Sequence, residues 1–126
     1  MVRKIVLAVL LLFVVGCAVL QNIYINNTTE ELTAGLEKVR TALEEDDLQA
    51  AAAAADVFNT EWEEKKASFE AFFEHKEVDS ISSSAKTLQS YCHTGQKEEA
   101  LAHVAASIFY VEHIRDIDKL GWENVF

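Results

Sequence analysis

The sequence predicts an all-α chain: an N-terminal membrane helix followed by an antiparallel bundle of about four helices, arranged as two helical hairpins. Three observations carry this expectation. The 126 residues contain no proline and only four glycines, poor material for the turns of a β protein and good material for helices. The N-terminal stretch is apolar without interruption after a short basic start. Beyond it, four segments repeat apolar residues at alternating spacings of three and four, which keeps those residues on one face of a helix.

The anchor comes first. Met1-Val2-Arg3-Lys4 precedes an unbroken apolar run from Ile5 to Leu20, and the next positive charge is Lys38. Basic residues resist crossing a membrane, so the N-terminus is expected in the cytosol and the rest of the chain outside. A helix over the 16 residues from Ile5 to Leu20 rises about 24 Å, short of the roughly 30 Å hydrocarbon core. Ile23, Tyr24 and Ile25 extend it past the polar pair Gln21-Asn22, and with that extension it can span. Val14-Val15-Gly16-Cys17 also resembles a bacterial lipobox, an aliphatic and a small residue before a cysteine that would be acylated. Two modes of attachment therefore stay open: an uncleaved transmembrane helix, or a lipoprotein cut before Cys17. A signal peptide removed entirely is the third. The expected organisation is residues 1–25 as anchor and 26–126 as an extracytoplasmic helical domain.

The first segment of that domain opens at Asn26-Asn27-Thr28-Thr29-Glu30-Glu31. Thr28 with Glu31 three residues later reads as a capping box, and the acidic pair suits the positive end of a helix dipole. Leu32, Leu36, Val39 and Leu43 form its seam, and Glu44-Glu45-Asp46-Asp47 ends it or caps the next helix. The second segment is expected from about Leu48 to Glu74, with Ala51, Ala55, Phe58, Trp62, Phe69 and Phe72 on the seam. Its alanine run 50–55 favours helix strongly and lets a neighbour approach closely. Val78, Ile81, Ala85, Leu88 and Cys92 set the third. Ser82-Ser83-Ser84 is its expected weak point, because serines compete with the backbone for hydrogen bonds.

His93-Thr94-Gly95 breaks the chain. The fourth segment is expected from about Gln96 to Asp118, with Leu101, Val104, Ile108, Val111 and Ile114 or Ile117 inward. The tail Leu120–Phe126 is expected to fold back onto the bundle, burying Trp122 and Phe126. Short connections favour antiparallel neighbours. The stretches around Asp46-Asp47 and Thr94-Gly95 echo each other loosely, through duplication or through shared helix-start chemistry.

Charge narrows the partners. Without Arg3 and Lys4, nine basic residues face 21 acidic ones, a net charge of −12. Such a surface repels nucleic acid, which needs positive charge against phosphate. The two cysteines make no disulfide framework: Cys17 lies in the anchor, and Cys92 falls on an apolar seam where burial is expected.

The densest polar cluster runs from Phe72 to Ile81. His75, Glu77 and Asp79, with His113 from the fourth segment, are donors that zinc or another transition metal accepts. Residues two apart on a helix point about 200° apart, so this set converges only if the backbone bends. The structural alternative is that Glu77 and Asp79 cap the third helix while His75 bonds a backbone group. Trp62 reads as a core anchor whose indole N–H finds a partner. Lys66 follows it by four and Lys65 follows Glu61 by four, the spacing of helical ion pairs. Glu112-His113 is a candidate acid–base pair, and His93 and His103 read as surface residues. No nucleophilic triad, phosphate loop or dinucleotide fingerprint occurs.

The order of these features resembles a family of small bacterial proteins known as domain of unknown function 4363. The marks are Asn26-Asn27-Thr28, Trp62-x-x-x-Lys66-x-x-Phe69, Phe72-x-x-His75-x-Glu77-x-Asp79-x-Ile81, His113-Ile114 and the closing Glu123-Asn124-Val125-Phe126. The resemblance covers nearly the whole chain and implies an N-terminal anchor followed by an acidic helical domain, with no reaction assigned. The expected function is a non-enzymatic interaction module at the cell membrane. It would bind a protein or envelope partner through a helix groove or through the Trp62–Asp79 region, with Trp62, Lys66, His75, Glu77, Asp79 and His113 as the candidate interaction cluster. No cofactor and no small-molecule substrate are expected. The alternative is a metal or acid–base site at His75, Glu77, Asp79 and His113.

Overall fold

The computed structural model describes residues 1–125, with side chains up to Gly121, and it is helical throughout. Four helices follow one another: α1 (Val2–Glu44), α2 (Leu48–Phe72), α3 (His75–His93) and α4 (Lys97–Val125). Each packs against the next, and α4 returns to α1, so the four close an up-down-up-down bundle. The all-α expectation and the two hairpins are met. The count differs by one, because the N-terminal apolar stretch and the first bundle helix are a single element.

The expected start at Thr28 is absent. A capping box needs its threonine in a non-helical conformation with a hydroxyl free to meet a backbone N–H. Here residues 26–29 are helical, and Thr28 and Thr29 are buried at 4% and 1% exposure. The Thr29 hydroxyl instead donates back to the carbonyls of Ile25 (2.8 Å) and Asn26 (3.0 Å). Asn26 donates one turn back to Asn22, also within the helix. With no proline or glycine there, nothing stops α1. Ile25, placed by sequence in the anchor, is fully buried in the bundle core.

Two similar turns close the distal end. After α1, Asp46 adopts φ 59° and Asp47 N–H reaches back to Ala42 carbonyl at 2.9 Å. After α3, Gly95 adopts φ 72° and Gln96 N–H reaches Tyr91 carbonyl at 2.9 Å. Both are Schellman closures, with a left-handed residue satisfying the last carbonyls of the helix. The two stretches that echo each other in sequence thus form the same kind of turn. Asp47 then caps α2 by accepting from Ala50 N–H. Lys97 ties the two turns together through Asp46 at 2.6 Å, and that contact raises the lysine pKa.

The core follows the expected seams closely. Leu32, Leu36, Val39, Leu43, Ala51, Ala55, Phe58, Trp62, Phe69, Val78, Ile81, Ala85, Leu88, Cys92, Val104, Ile108, Val111 and Ile114 are all buried. Phe72 is not: it ends α2 and is 48% exposed, and Leu101, also expected inward, is only partly buried. The extended backbone of Phe73 turns that ring inward instead, stacked on Phe69 at 5.9 Å. Ser82-Ser83-Ser84 does not weaken α3. Ser82 accepts the Trp62 indole N–H at 2.8 Å, and Ser84 pairs with Ser107 of α4 at 2.6 Å inside the core.

The tail does not double back as a separate element, since α4 continues without a break to Val125. The expected burial of Trp122 and Phe126 lies outside the described residues.

Candidate functional site

Polar groups sew α2 to α3 along one edge. Asp56 accepts from Gln89 and contacts His93, each at 2.7 Å, and these bonds hold its carboxyl below the usual aspartate range. Asn59 donates to the carbonyls of Ala55 and Ala85, both at 3.0 Å. Trp62 completes the row through Ser82. These bonds fix one helix against the other at three successive levels, so their role is structural. Trp62 has no exposed surface and packs on Phe69 with ring centroids 5.4 Å apart. The tertiary fold therefore withdraws it from any contact with a partner.

The remaining candidates sit around the α2–α3 turn. The helix of α3 starts at His75 and runs straight through Asp79. Neither Glu77 nor Asp79 caps it, because the cap position is Glu74 and no side chain bonds there. Glu77 instead lies in the first turn, where its charge favours the helix dipole. The expected backbone bond from His75 is absent too among the described residues; its side chain is exposed.

The uninterrupted helix decides which candidates meet. Glu77 turns toward α4 and approaches His113, with Oε2 3.7 Å from Nε2. Phe109 lies parallel to the His113 ring at 6.0 Å and is itself 63% exposed. His75 and Asp79 leave the helix on the far side from Glu77 and face solvent. Among the described residues, no three His, Cys, Asp or Glu side chains converge as a metal would require. Lys66 is half-buried, and neither it nor the Glu61–Lys65 spacing forms an ion pair among those residues.

Cys92 lies at the opposite end of α3 from Glu77, about 22 Å along the axis. It is 3% exposed, and burial, with the Asp56 carboxylate nearby, pushes its thiol up to about 11. A thiol that resists ionisation is a poor nucleophile. Cys17 is exposed on the apolar stretch of α1.

His103 departs from expectation. It is half-buried against Tyr91, ring centroids 5.3 Å apart, and its buried Nδ1 has no hydrogen-bond partner among the described residues. Sequence reasoning missed it because no seam residue flags a position at the edge of the core. It overlooked Phe109 for a related reason: a lone aromatic beside a seam looks like part of the core until the neighbouring helix is placed.

The N-terminal part of α1 is equally distinct. One helix, α1, is long and apolar enough to cross a membrane. Almost all of its first twenty residues lie exposed, while the same helix from Ile25 onward lines the core. A family model described as a domain of unknown function, DUF4363, matches residues 19–125, which spans the entire bundle and begins where the apolar run ends. No curated protein and no solved structure matches the chain. On that match over most of its length, the chain belongs to the DUF4363 family.

Proposed function

We propose that this chain is a non-enzymatic interaction module, held at the cell membrane by α1, whose bundle lies on the extracytoplasmic side and binds a protein or envelope component. The observation that carries the reading is the continuity of α1. One helix joins an exposed apolar stretch to the core of a closed bundle, so the bundle is mechanically coupled to its anchor. Arg3 and Lys4 before the run favour a cytosolic N-terminus. The ionisable residues support binding rather than chemistry. Glu77 and His113 form an open, half-exposed pair on the bundle surface, and the core thiol of Cys92 is far from it and pushed up to about 11.

Sidedness and binding are tested separately. A cysteine placed at Glu45, in the distal turn, is expected to react with a membrane-impermeant maleimide in intact cells. Protection until the cells are lysed would refute the orientation. Crosslinking in live cells followed by purification is expected to enrich a defined protein or envelope component over an anchor-only control. Absence of any such enrichment would refute the module. Intact mass of the membrane form distinguishes an uncleaved α1 from one cut and acylated at Cys17.

A further inference from the structure

Two exposed apolar side chains remain unexplained at one end of the bundle: Phe72, at the end of α2, is 48% exposed, and Leu120, near the end of α4, is 58% exposed. The register of the helices places both at the same height. On α1, Gly35 faces Phe58 of α2, since a methyl group at Gly35 would meet that ring at 3.6 Å. Phe72 lies 14 residues beyond Phe58, about 21 Å along α2. The antiparallel α1 covers the same distance going back to Gln21. On the other flank, Asn22 donates to Asp118 at 3.0 Å. Two residues further along α4, Leu120 stands level with Leu20. Both side chains therefore reach the level at which the apolar run of α1 ends.

α4 goes further. Its backbone continues to Val125, another 7 Å or so beyond Leu120, in the direction in which the apolar run of α1 lies. Among residues 1–20, Val15 and Ala18 are the two that are half-buried, and they lie on the same helical face as Asn22 and Ile25. That face is the one α4 covers at Asn22. The sequence of this last stretch is rich in apolar and aromatic residues, the composition found where helices meet the headgroup layer.

We infer that the base of the bundle is seated in the headgroup region of the membrane that α1 enters, with Phe72 and Leu120 in contact with lipid and the last turns of α4 lying against α1 below them. This rests on the membrane anchoring proposed above and adds a lipid-binding surface to it. The length of the apolar run points the same way. Ile5–Leu20 falls about 6 Å short of the hydrocarbon thickness, so the bilayer surface meets α1 near residues 20–24, where the bundle begins. Tilt does not lift the base clear. A tilt of about 20° moves a helix packed 8–10 Å away by only about 3–4 Å.

The test uses the full chain with Cys17→Ser, reconstituted into phosphatidylcholine–phosphatidylglycerol vesicles. Cys92 is buried and stays unlabelled. Single cysteines at Phe72, Leu120, Leu10 and Glu45 carry a nitroxide, and collision with dissolved oxygen is compared with collision with a water-soluble nickel chelate. Labels at Phe72 and Leu120 are expected to favour oxygen over nickel, as the label at Leu10 does, while Glu45 favours nickel. If Phe72 and Leu120 behave like Glu45 while Leu10 remains in the oxygen-rich core, the anchor holds and the seated base is overturned. If Leu10 also favours nickel, the anchor itself fails, and the seated base with it.

Discussion

The hydroxyl pair Ser84–Ser107 offers a direct test of how α3 and α4 are held together. The two oxygens are 2.6 Å apart, and the residues are 6% and 0% exposed. Ser84→Ala leaves the Ser107 hydroxyl buried without its partner, and Ser107→Ala does the reverse. A stranded buried hydroxyl costs about 1–3 kcal/mol. Each serine can turn its hydroxyl to the carbonyl four residues back in its own helix, which recovers part of this, so about 1–2 kcal/mol is expected for either change. Removing both hydroxyls strands neither. The double variant is then expected within about 1 kcal/mol of the parent, giving a favourable coupling of comparable size to the single losses. Urea unfolding of the full chain in non-ionic detergent, followed by circular dichroism, measures all four species. Single variants that are each neutral, or a double variant whose loss is the sum of the two, would refute the reasoning.

Trp62→Ala is expected to cost about 3–5 kcal/mol, because it empties a fully buried site and removes the indole N–H that Ser82 accepts; Trp62→Phe, which keeps most of the volume, should cost clearly less in the same assay. Cys92, in a Cys17→Ser background, is expected to resist iodoacetamide at pH 8 in the folded protein and to react on unfolding, followed by intact mass. Its folded pKa lies above the ordinary thiol value of 9.0, at about 11, so its contribution to stability is present below about pH 9 and is lost as pH rises through 11. Gly95→Ala is expected to cost about 1–2 kcal/mol, read as a lower midpoint in urea, since φ of 72° suits glycine and strains any L residue. Asn26→Pro removes a helical hydrogen bond where α1 runs from its exposed apolar stretch to the core, and a loss of about 3 kcal/mol or more is expected, whereas a chain truly hinged there would be unaffected.

The seams of the helices were legible because burial repeats with the helical period, and a run such as Val78, Ile81, Ala85, Leu88, Cys92 admits one inward face. The apolar run and its basic start were legible for a similar reason: they are local in sequence and need no partner to be recognised. The family resemblance was read from short local motifs, and the family model matches residues 19–125. What the sequence could not settle was where a helix continues. Asn26-Asn27-Thr28-Thr29 contains good caps, but a cap forms only if the helix has reason to start there. Packing of Ile25, Thr28 and Thr29 against the other helices made the stretch helical instead.

The candidate site divided along the same line. His75, Glu77 and Asp79 are neighbours in sequence, yet a straight α3 sends Glu77 to His113 and the other two to solvent. Trp62 read correctly as a core anchor, but its partner Ser82 came from a different helix and could not be named in advance. Phe72 and Phe73 exchanged places because the turn, not the helical period, sets which ring points inward. Periodicity and composition are properties of one segment, and the sequence determined them alone. Registers, partners and the shared height of Phe72, Leu120 and the end of the apolar run are relations between segments, and only the packed bundle decided those.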